Sequence, residues 1–448
     1  MTERRWKAAL GASVLTGVLF AVVYNICNRL TGVRPDVGVW VFEWERYWPV
    51  VPSLIVPYWS IDAFFVVAPF FCRNRAEIGV YRRRIVFVIL AAGLCFLLIP
   101  LRFAFPRPQV QGVFGAWFAV LYAFDLPFNL FPSLHITFRT LLAEVFARTS
   151  SGLSRWLLHV WFSVVGVSTL LTWQHHLVDV LGGFWLAAIA MQLYRFGEVT
   201  PARAAHPRLA LYYALAAVAC SQIARLSWPW SFVFVWPAFA LGTASVVYAG
   251  FGNALYRKHE GRLTRMTKLL FAPLLAGQWL SWCYYRRKSA PWNEVAPSVW
   301  IGSLPSKENA DEAIARGVTS VLDLTSEFSE TPAFRTLRYC QIPVLDLTAP
   351  VPDELDRAVQ FIANGSKDGV VYVHCKAGYS RSAAAVGAWL LSTCQAQTVA
   401  EVVARLEAAR PGIVIRPEVR LALERYARAL PRESALDRPP VHPSHSSH

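Results

Sequence analysis

Long runs of apolar residues dominate the first part of the chain and stop after about Pro291. Several runs approach the roughly 20 residues that a helix needs to cross the hydrocarbon core of a bilayer. They predict about eight membrane-spanning helices, at 8–28, 54–72, 84–101, 134–148, 156–172, 177–195, 208–225 and 231–250. We therefore expect a polytopic α-helical membrane domain over residues 1–290.

A ninth apolar stretch, 269–285, is ambiguous. Basic residues flank it on both sides, and it contains Pro273 and Gly277. It either crosses the membrane, re-enters it or lies in the interface. A crossing would put the C-terminal region on the side opposite the N-terminus.

Beyond this stretch, short apolar segments alternate with amphipathic ones. The predicted strands are 299–301, 318–324 and 369–374, and the predicted helices are 307–316, 352–363, 382–392, 398–409 and 417–430. The alternation predicts an α/β domain with a central sheet over residues 291–430. The remaining residues, 431–448, are rich in Pro, Ser and His and are predicted to be a disordered tail.

The charge pattern agrees with a membrane protein. The chain has 448 residues, of which 55% are hydrophobic and only 16% charged, and its formal charge is +15. The basic residues lie mainly between apolar runs, as for Arg73 and Lys258, so we interpret them as cytoplasmic anchors and not as a nucleic-acid surface. We expect a multi-pass protein of the inner (plasma) membrane, with the bilayer as a partner and no nucleic-acid partner.

The eight cysteines have neither zinc-ligand nor disulfide-framework spacing. The sequence therefore predicts no metal and no cofactor. One cysteine differs from the rest, because Cys375 ends the apolar segment Val370-Val371-Tyr372-Val373-His374 and precedes the loop Lys376-Ala377-Gly378-Tyr379-Ser380 and then Arg381-Ser382.

A strand followed by a short loop and a helix start is an anion site, because the loop N–H groups and the helix N-terminus point at one place. The same positive potential favours the thiolate of Cys375, the predicted nucleophile. Arg381 can hold two phosphoryl oxygens, and we expect the loop residues Lys376, Ala377, Gly378, Tyr379 and Ser380 to bind phosphate.

Residues from about 296 to 428 resemble the dual-specificity branch of the protein tyrosine phosphatase superfamily. The loop His-Cys-Lys-Ala-Gly-x-Ser-Arg-Ser, followed by Ile415-Arg416-Pro417, is similar in particular to phosphatases that act on phosphatidylglycerophosphate. The resemblance implies a general acid upstream of the cysteine, and Asp346 in Val-Leu-Asp-Leu-Thr matches it, with Asp353 and Asp356 as rivals that begin or lie in a helix. It also implies that Ser382 assists breakdown of the phosphoenzyme and that His374 orients the loop.

A second group of ionisable residues lies in the apolar region. Phe-Pro-Ser-Leu-His ends at His135, and Gln-His-His-Leu-Val-Asp contains His175 and Asp179. Four residues separate His175 from Asp179, so on a helix the carboxylate could hold the imidazole N–H. The free ring nitrogen could then attack phosphorus, while His135 protonates the leaving oxygen.

Residues from about 84 to 195 thus resemble the type-2 phosphatidic acid phosphatase superfamily, which includes inositol phosphorylceramide synthases, and this implies a six-helix core. The resemblance implies His175 as nucleophile, Asp179 as its partner, His135 as acid and Arg107 as a phosphate ligand. Pro100 stands where that family has a basic residue, although Arg102 is near.

Arg139 lies four residues after His135, and it either supplies the missing phosphate ligand or simply snorkels to the interface or meets Glu144. These differences leave hydrolysis, headgroup transfer and an inactive module all open.

Two functions follow. The first is an enzyme with two sites, a cysteine-dependent phosphomonoesterase and a histidine-dependent lipid phosphatase or transferase, acting on phospholipid phosphates. The alternative is a membrane-anchored protein tyrosine/serine/threonine phosphatase whose membrane half is a lipid-binding or inactive module. In either case the thiolate must stay reduced, which predicts a cytoplasmic C-terminal domain and an interfacial or re-entrant 269–285.

Overall fold

The computed structural model describes residues 3–197, 205–251 and 255–430. The described residues divide into two compact units: an N-terminal unit of those up to residue 257 together with 265–274, and a C-terminal unit of residues 258–264 and 275–430. This division differs from the predicted boundary at residue 290, because a hairpin and most of a helix upstream of it belong to the C-terminal unit. The predicted disordered tail at 431–448 lies outside the described residues.

Helices build the N-terminal unit. In chain order they are α1 (Glu3–Gly32), α2 (Ile55–Phe71), α3 (Arg75–Leu98), α4 (Gly112–Phe124), α5 (Leu134–Thr149), α6 (Gly152–Leu171), α7 (Leu177–Leu193), α8 (Pro207–Leu226) and α9 (Ser231–Tyr248). Two short 3-10 helices, Glu43–Tyr47 and Pro52–Leu54, connect α1 to α2. Each predicted span coincides with a helix, and α4 is an additional apolar helix that the sequence pattern did not predict.

Within the described residues, five helical segments are long and apolar enough to cross a membrane: α1, Pro52–Phe71, α6, α8 and α9. Helices α4 and α7 are apolar but shorter. Helices α3 and α5 are less uniformly apolar, since buried Arg84 of α3 pairs with Glu144 of α5 at 2.5 Å. The N-terminal unit therefore contains several apolar helices, and the figure of about eight spans stays a prediction.

A hairpin and two helices follow α9. Strands β1 (Lys258–His259) and β2 (Arg262–Leu263) pair antiparallel, with Gly261 in the turn at a φ of +74° that favours glycine. Helix α10 (Arg265–Leu270) and helix α11 (Ala272–Arg286) come next. The ambiguous stretch 269–285 is thus largely the single helix α11, whose residues from Leu275 onward belong to the C-terminal unit.

The C-terminal unit contains the predicted central sheet. Its strands are β3 (Trp292–Ala296), β4 (Val299–Ser303), β5 (Val318–Thr325), β6 (Arg338–Val344) and β7 (Val370–Cys375), in the order β3-β4-β7-β5-β6. In this five-stranded sheet the β3–β4 pair is antiparallel and the other three pairs are parallel. The edge strands β3 and β6 escaped prediction because polar and charged residues interrupt their apolar pattern.

Six helices cover this sheet: α12 (Lys307–Ala315), α13 (Pro332–Arg335), α14 (Pro352–Gly365), α15 (Ser380–Ser392), α16 (Val399–Ala409) and α17 (Pro417–Ala429). The central strand β7 is buried on both faces, since the adjacent residues Tyr372 and Val373, whose side chains point to opposite faces, are both fully buried. In register, Cys375 at its end lies beside Ser303 of β4, and His374 beside Asp323 of β5. The carboxyl ends of three parallel strands therefore meet at Cys375, which is where such sheets form their sites.

Candidate active site

The loop after β7 is fixed in shape by its packing. Gly378 has a φ of +72°, and a Cβ added there would lie 2.4 Å from the backbone carbonyl carbon of Gly302. Only glycine therefore lets the loop pack against the end of β4. Cys375 is 3% exposed, and its Sγ lies 3.4 Å from the hydroxyl of Ser382 in the first turn of α15.

The surroundings of Cys375 favour the thiolate. Burial alone raises the pKa of a thiol, but the charge of Arg381, the Ser382 hydroxyl and the backbone N–H groups of Ser382 and Tyr379 outweigh it. The net result is a Cys375 pKa below its ordinary value. This direction agrees with the thiolate expected from the order of strand, loop and helix, and the role of Cys375 as nucleophile stays a prediction.

Arg381 is held rigidly by a carboxylate that the sequence analysis missed. Its guanidinium donates two hydrogen bonds to buried Glu327, at 2.6 and 2.9 Å, and a third to the Val344 carbonyl at 2.8 Å. Burial opposes the charge of Arg381, but Glu327 and Asp346 keep its pKa well above the usual value. The guanidinium is thus permanently charged and pre-oriented beside the loop.

Asp346, which follows β6, contacts both Arg381 and Lys376. Its carboxylate accepts from Arg381 at 3.2 Å and from Lys376 Nζ at 2.5 Å. Burial raises the pKa of this carboxyl, but Arg381 and Lys376 lower it further, so the pKa falls below the ordinary value. The rivals Asp353 and Asp356 are exposed on α14. The structure therefore brings Asp346 to the loop, and its role as general acid stays a prediction.

The other loop residues have defined partners. Lys376 is only 6% exposed and also donates to Gln278 at 2.7 Å, so it is not a solvated charge. The carbonyl of Ala377 accepts from Arg410 at 3.2 Å. Arg410 is fully buried and was not identified from the sequence. The tyrosine hydroxyl of Tyr379 contacts Ser289, and Ser380 begins α15.

His374 precedes Cys375 in the chain and lies in a buried cluster of charged side chains. Its Nε2 is 2.6 Å from Glu330 and 3.9 Å from Asp323. Burial opposes protonation, but Glu330 and Asp323 raise the pKa of His374. The three side chains lie close enough to hold a metal ion. The Asp323 carboxylate, however, already has a cation, which is the ammonium of Lys258.

Lys258 is not the cytoplasmic anchor that the charge pattern predicted. Its side chain is fully buried, pairs with Asp323 and donates to the Thr325 hydroxyl at 2.8 Å. Two further hydrogen bonds fix the hairpin at Gly261, whose N–H donates to Gln341 at 2.8 Å and whose carbonyl accepts from Glu330 at 2.7 Å. That prediction is therefore wrong, because the hairpin is a part of the C-terminal unit.

Replacing Lys258 tests this correction. Lys258→Met leaves the buried Asp323 carboxylate without its cation, and we expect the free energy of unfolding of the C-terminal unit to fall by about 3–5 kcal/mol. Hydrogen exchange of the β7 amides in the full chain measures that loss. The matched control is Arg262→Met, whose side chain is exposed on the same hairpin. Equal protection in the two variants would show that the buried pair contributes nothing.

The predicted histidine site lies in the N-terminal unit. His135 Nε2 is 2.9 Å from the carbonyl of Tyr58, and the two rings stack at 3.9 Å. His175 Nδ1 is 3.5 Å from Asp179, which accepts instead from the backbone N–H of His176 at 2.8 Å. Asp179 is thus near His175 but its hydrogen bond serves the start of α7.

Arg107 reaches this region as well. Its guanidinium lies 4.3 Å from the Tyr122 ring centre and donates to the backbone carbonyl of Asp125 at 2.5 Å. The Asp125 carboxylate, which the sequence analysis missed, accepts from Tyr24 at 2.8 Å. A small cavity is lined by Tyr24, Tyr58, Arg107, Asp125, Gln174 and His175 among others.

The remaining two predicted ligands do not line this cavity. Arg139 donates to the Phe162 carbonyl at 2.8 Å and lies over the Phe184 ring, while Glu144 pairs with Arg84. Among the described residues Arg139 therefore does not pair with Glu144, and its role as a phosphate ligand stays a prediction. The side chain of Arg102 is exposed.

His176 is a further residue without a predicted role. It is buried, its Nδ1 lies 3.1 Å from Glu45, and its Nε2 accepts from the Ala104 N–H at 3.0 Å. These bonds tie the start of α7 to the segment before Arg107. The sequence could not predict this role of His176, since its partner Glu45 lies far away in the chain.

Comparison with known proteins finds a family match within the C-terminal unit. Residues 299–429 match the family described as "Dual specificity phosphatase, catalytic domain". Dual specificity protein phosphatase 12 of Rattus norvegicus is 37% identical over 108 residues, which are 23% of this chain and 31% of that protein. Phosphatidylglycerophosphate phosphatase PTPMT2 of Arabidopsis thaliana is 27% identical over 144 residues, which are 31% of this chain and 63% of that protein.

The crystal structure of PTPMT1 in complex with PI(5)P is 25% identical and covers 31% of this chain and 96% of that one, with a TM-score of 0.28. This chain spans less than two thirds of the length of either relative named above. The C-terminal unit contains a dual-specificity phosphatase catalytic domain, which is a phosphoric monoester hydrolase domain.

Proposed function

We propose that the protein is a membrane-bound phosphatase whose Cys375 site removes the phosphate of phospholipid headgroups. One observation carries the chemistry: a thiol whose pKa is lowered lies at the centre of a loop whose Arg381 is held by Glu327. A charged guanidinium and a thiolate in one rigid frame are what in-line attack on a phosphomonoester requires.

The reaction proceeds in two steps. The Cys375 thiolate forms a bond to phosphorus as the bond to the alcohol oxygen breaks, and Asp346 gives its proton to that oxygen. Water then attacks the phosphocysteine, Asp346 takes the proton, and the Ser382 hydroxyl stabilises the departing thiolate. Inorganic phosphate is the second product, and the free enzyme is regenerated.

Asp346 must be protonated for the first step, although its pKa is lowered in the free site. The phosphate dianion competes for Arg381 and Lys376, the two cations that hold Asp346 ionised. When phosphate also accepts hydrogen bonds from these two cations, they stabilise the Asp346 carboxylate less, and a new negative charge lies beside it, so its proton affinity rises. Substrate binding thus prepares the acid.

Three observations support a lipid substrate. The Arabidopsis relative is named as a phosphatidylglycerophosphate phosphatase. The same chain carries several helices that are long and apolar enough to cross a membrane. Lys376 adds a cation to the phosphate loop, where it can meet a polyanionic headgroup. For the thiolate to stay reduced, the C-terminal unit belongs in the cytoplasm.

A substrate panel tests the proposal. The full chain in mixed micelles is assayed for phosphate release from phosphatidylglycerophosphate, phosphoinositides and phosphotyrosine peptides. A lipid should have the highest kcat/KM. Turnover of the peptides alone would instead favour the second reading, a membrane-anchored protein phosphatase whose N-terminal unit binds lipid.

A second activity is proposed for the N-terminal unit, a histidine-dependent lipid phosphatase or headgroup transferase. The supporting observation is the cavity that Arg107, Asp125 and His175 line together. His175 would attack phosphorus and Arg107 would hold the phosphoryl oxygens, while His135, which stacks on the cavity-lining Tyr58, would protonate the leaving oxygen.

His175→Ala tests this site. In a Cys375→Ser background, we expect any remaining phosphate release or headgroup transfer to fall by at least about 10³-fold, as for loss of a nucleophile. In a background with Cys375 intact, turnover of a soluble phosphomonoester should be unchanged. His159→Ala is the control, because His159 is exposed on α6. An equal loss in both histidine variants would contradict the proposal.

A further inference from the structure

Helix α11 packs along one side of the loop after β7, residues 376–380, which is the catalytic loop of the proposed phosphatase. Gln278 accepts from Lys376 at 2.7 Å, Trp282 donates to the Leu304 carbonyl at 3.1 Å, and the Tyr285 ring meets the Tyr379 ring edge-on at 5.8 Å. These three residues are spaced four and three apart, so they share one face of the helix. That face belongs to the active site, although residues 272–286 precede the matched family domain.

The opposite face of α11 is apolar and exposed. Trp279, Leu280 and Tyr284 are 53%, 63% and 54% exposed, and Ala276 and Gly277 are exposed beside them. Single exposed apolar residues are common on soluble proteins, but a stripe at helical spacing marks a surface that meets an apolar partner.

The end of this stripe is strongly basic. Arg286, Arg287 and Lys288 follow each other and are exposed. Lys288 lies 4.2 Å from the Tyr284 ring centre, and Arg286 lies 5.1 Å from that of Trp282. A helix with tryptophan, tyrosine and leucine on one side and lysine and arginine at its rim is typical of a helix lying in the headgroup layer of an anionic membrane.

We propose that α11 is an interfacial helix that holds the catalytic loop against an anionic lipid surface, so that Cys375 receives phosphomonoesters presented by that surface. The proposal rests on the lipid-phosphatase function above and adds the recognition surface. Charge complementarity favours a membrane over another protein. Chain order agrees, because α8 and α9, both long and apolar enough to cross a membrane, precede α11.

The contact with Lys376 connects the surface to the chemistry. Gln278 on the inner face of α11 shares the Lys376 ammonium with Asp346. When the outer face of α11 lies on the bilayer, the helix is therefore held in place. Gln278 then keeps Lys376 in position beside Asp346, the predicted general acid. Soluble substrates need no such seating, since they reach the loop from water.

The first experiment compares substrates. The full chain is reconstituted in phosphatidylcholine vesicles containing phosphatidylglycerol. We expect Leu280→Asp to lower kcat/KM for a phosphomonoester lipid in these vesicles at least tenfold, while turnover of a soluble aryl phosphate stays unchanged. Leu421→Asp is the control, since Leu421 is 44% exposed on α17 and should leave both substrates unaffected. Unchanged lipid turnover in Leu280→Asp, or an equal loss on both substrates, would overturn the proposal.

The second experiment identifies the occupant without relying on activity. A photoreactive p-benzoylphenylalanine replaces Leu280 in one variant and Leu421 in the other. Irradiation in the same vesicles should give lipid adducts at position 280 and none at 421. Adducts to another protein or to a second copy of the chain would overturn the proposal. If lipid adducts form but no lipid is hydrolysed, the surface stands and the lipid-phosphatase function fails.

Discussion

Cys375→Ser is expected to lower turnover of a soluble phosphomonoester by a factor on the order of 10⁴ or more. A serine hydroxyl in the same position is un-ionised at neutral pH. One arginine and a few N–H groups can lower the pKa of a thiol below neutral, but they cannot do so for an alcohol. The measurement is kcat for an aryl phosphate with the full chain. Retained turnover would show that another group attacks phosphorus.

The same variant should still bind phosphate. Arg381, its partner Glu327 and the loop N–H groups are unchanged, so the dissociation constant for inorganic phosphate should stay within a few fold of that of the parent. Loss of phosphate binding together with turnover would mean that the substitution has disturbed the loop and not only the nucleophile.

The pH profile gives an independent check on Cys375. The acidic limb of kcat/KM follows ionisation of the thiol, so it should lie below the ordinary cysteine value of about 8.5. Ser382→Ala removes a hydrogen bond that favours the thiolate, and this raises the pKa. The limb should therefore move to higher pH in that variant. An acidic limb that does not move would show that it reports another group.

The phosphate loop could be predicted from the sequence because it is contiguous. Strand, loop and helix follow each other within residues 370–382, so local pattern alone fixes where the N–H groups point. The residues that support the loop could not be found this way. Glu327 and Glu330 lie beyond the end of β5, and only the strand order reveals that β5 is the neighbour of β7.

Lys258 shows that the position of a basic residue along the chain does not decide whether it is a membrane anchor. A basic residue near apolar helices fits the positive-inside pattern, yet this one is buried against Asp323. The pattern fails because the hairpin packs in the C-terminal unit, although the rest of that unit begins later in the chain. The same return explains why the structural boundary lies upstream of residue 290.

The pairing of His175 with Asp179 stays a prediction, and the start of helix α7 determines its geometry. The spacing to Asp179 suits a hydrogen bond only if both residues are helical. Helix α7 begins at Leu177, with His176 as its N-cap, so His175 precedes the helix. The Asp179 carboxylate accordingly accepts from the His176 N–H, and its distance to the His175 ring is 3.5 Å.

Asp346→Ala is expected to separate substrates by their leaving groups. An alkyl phosphate needs a proton on its leaving oxygen, so its kcat should fall by about 10²–10⁴-fold. An aryl phosphate leaves as a stable phenolate and should lose far less. The substitution also frees Arg381 and Lys376 from a competing carboxylate, so inorganic phosphate should bind more tightly. Asp353→Ala, at an exposed position on α14, is the matched control and should change neither substrate. An equal loss on both substrates would assign Asp346 a structural role, and the general acid would then have to be sought elsewhere around the loop.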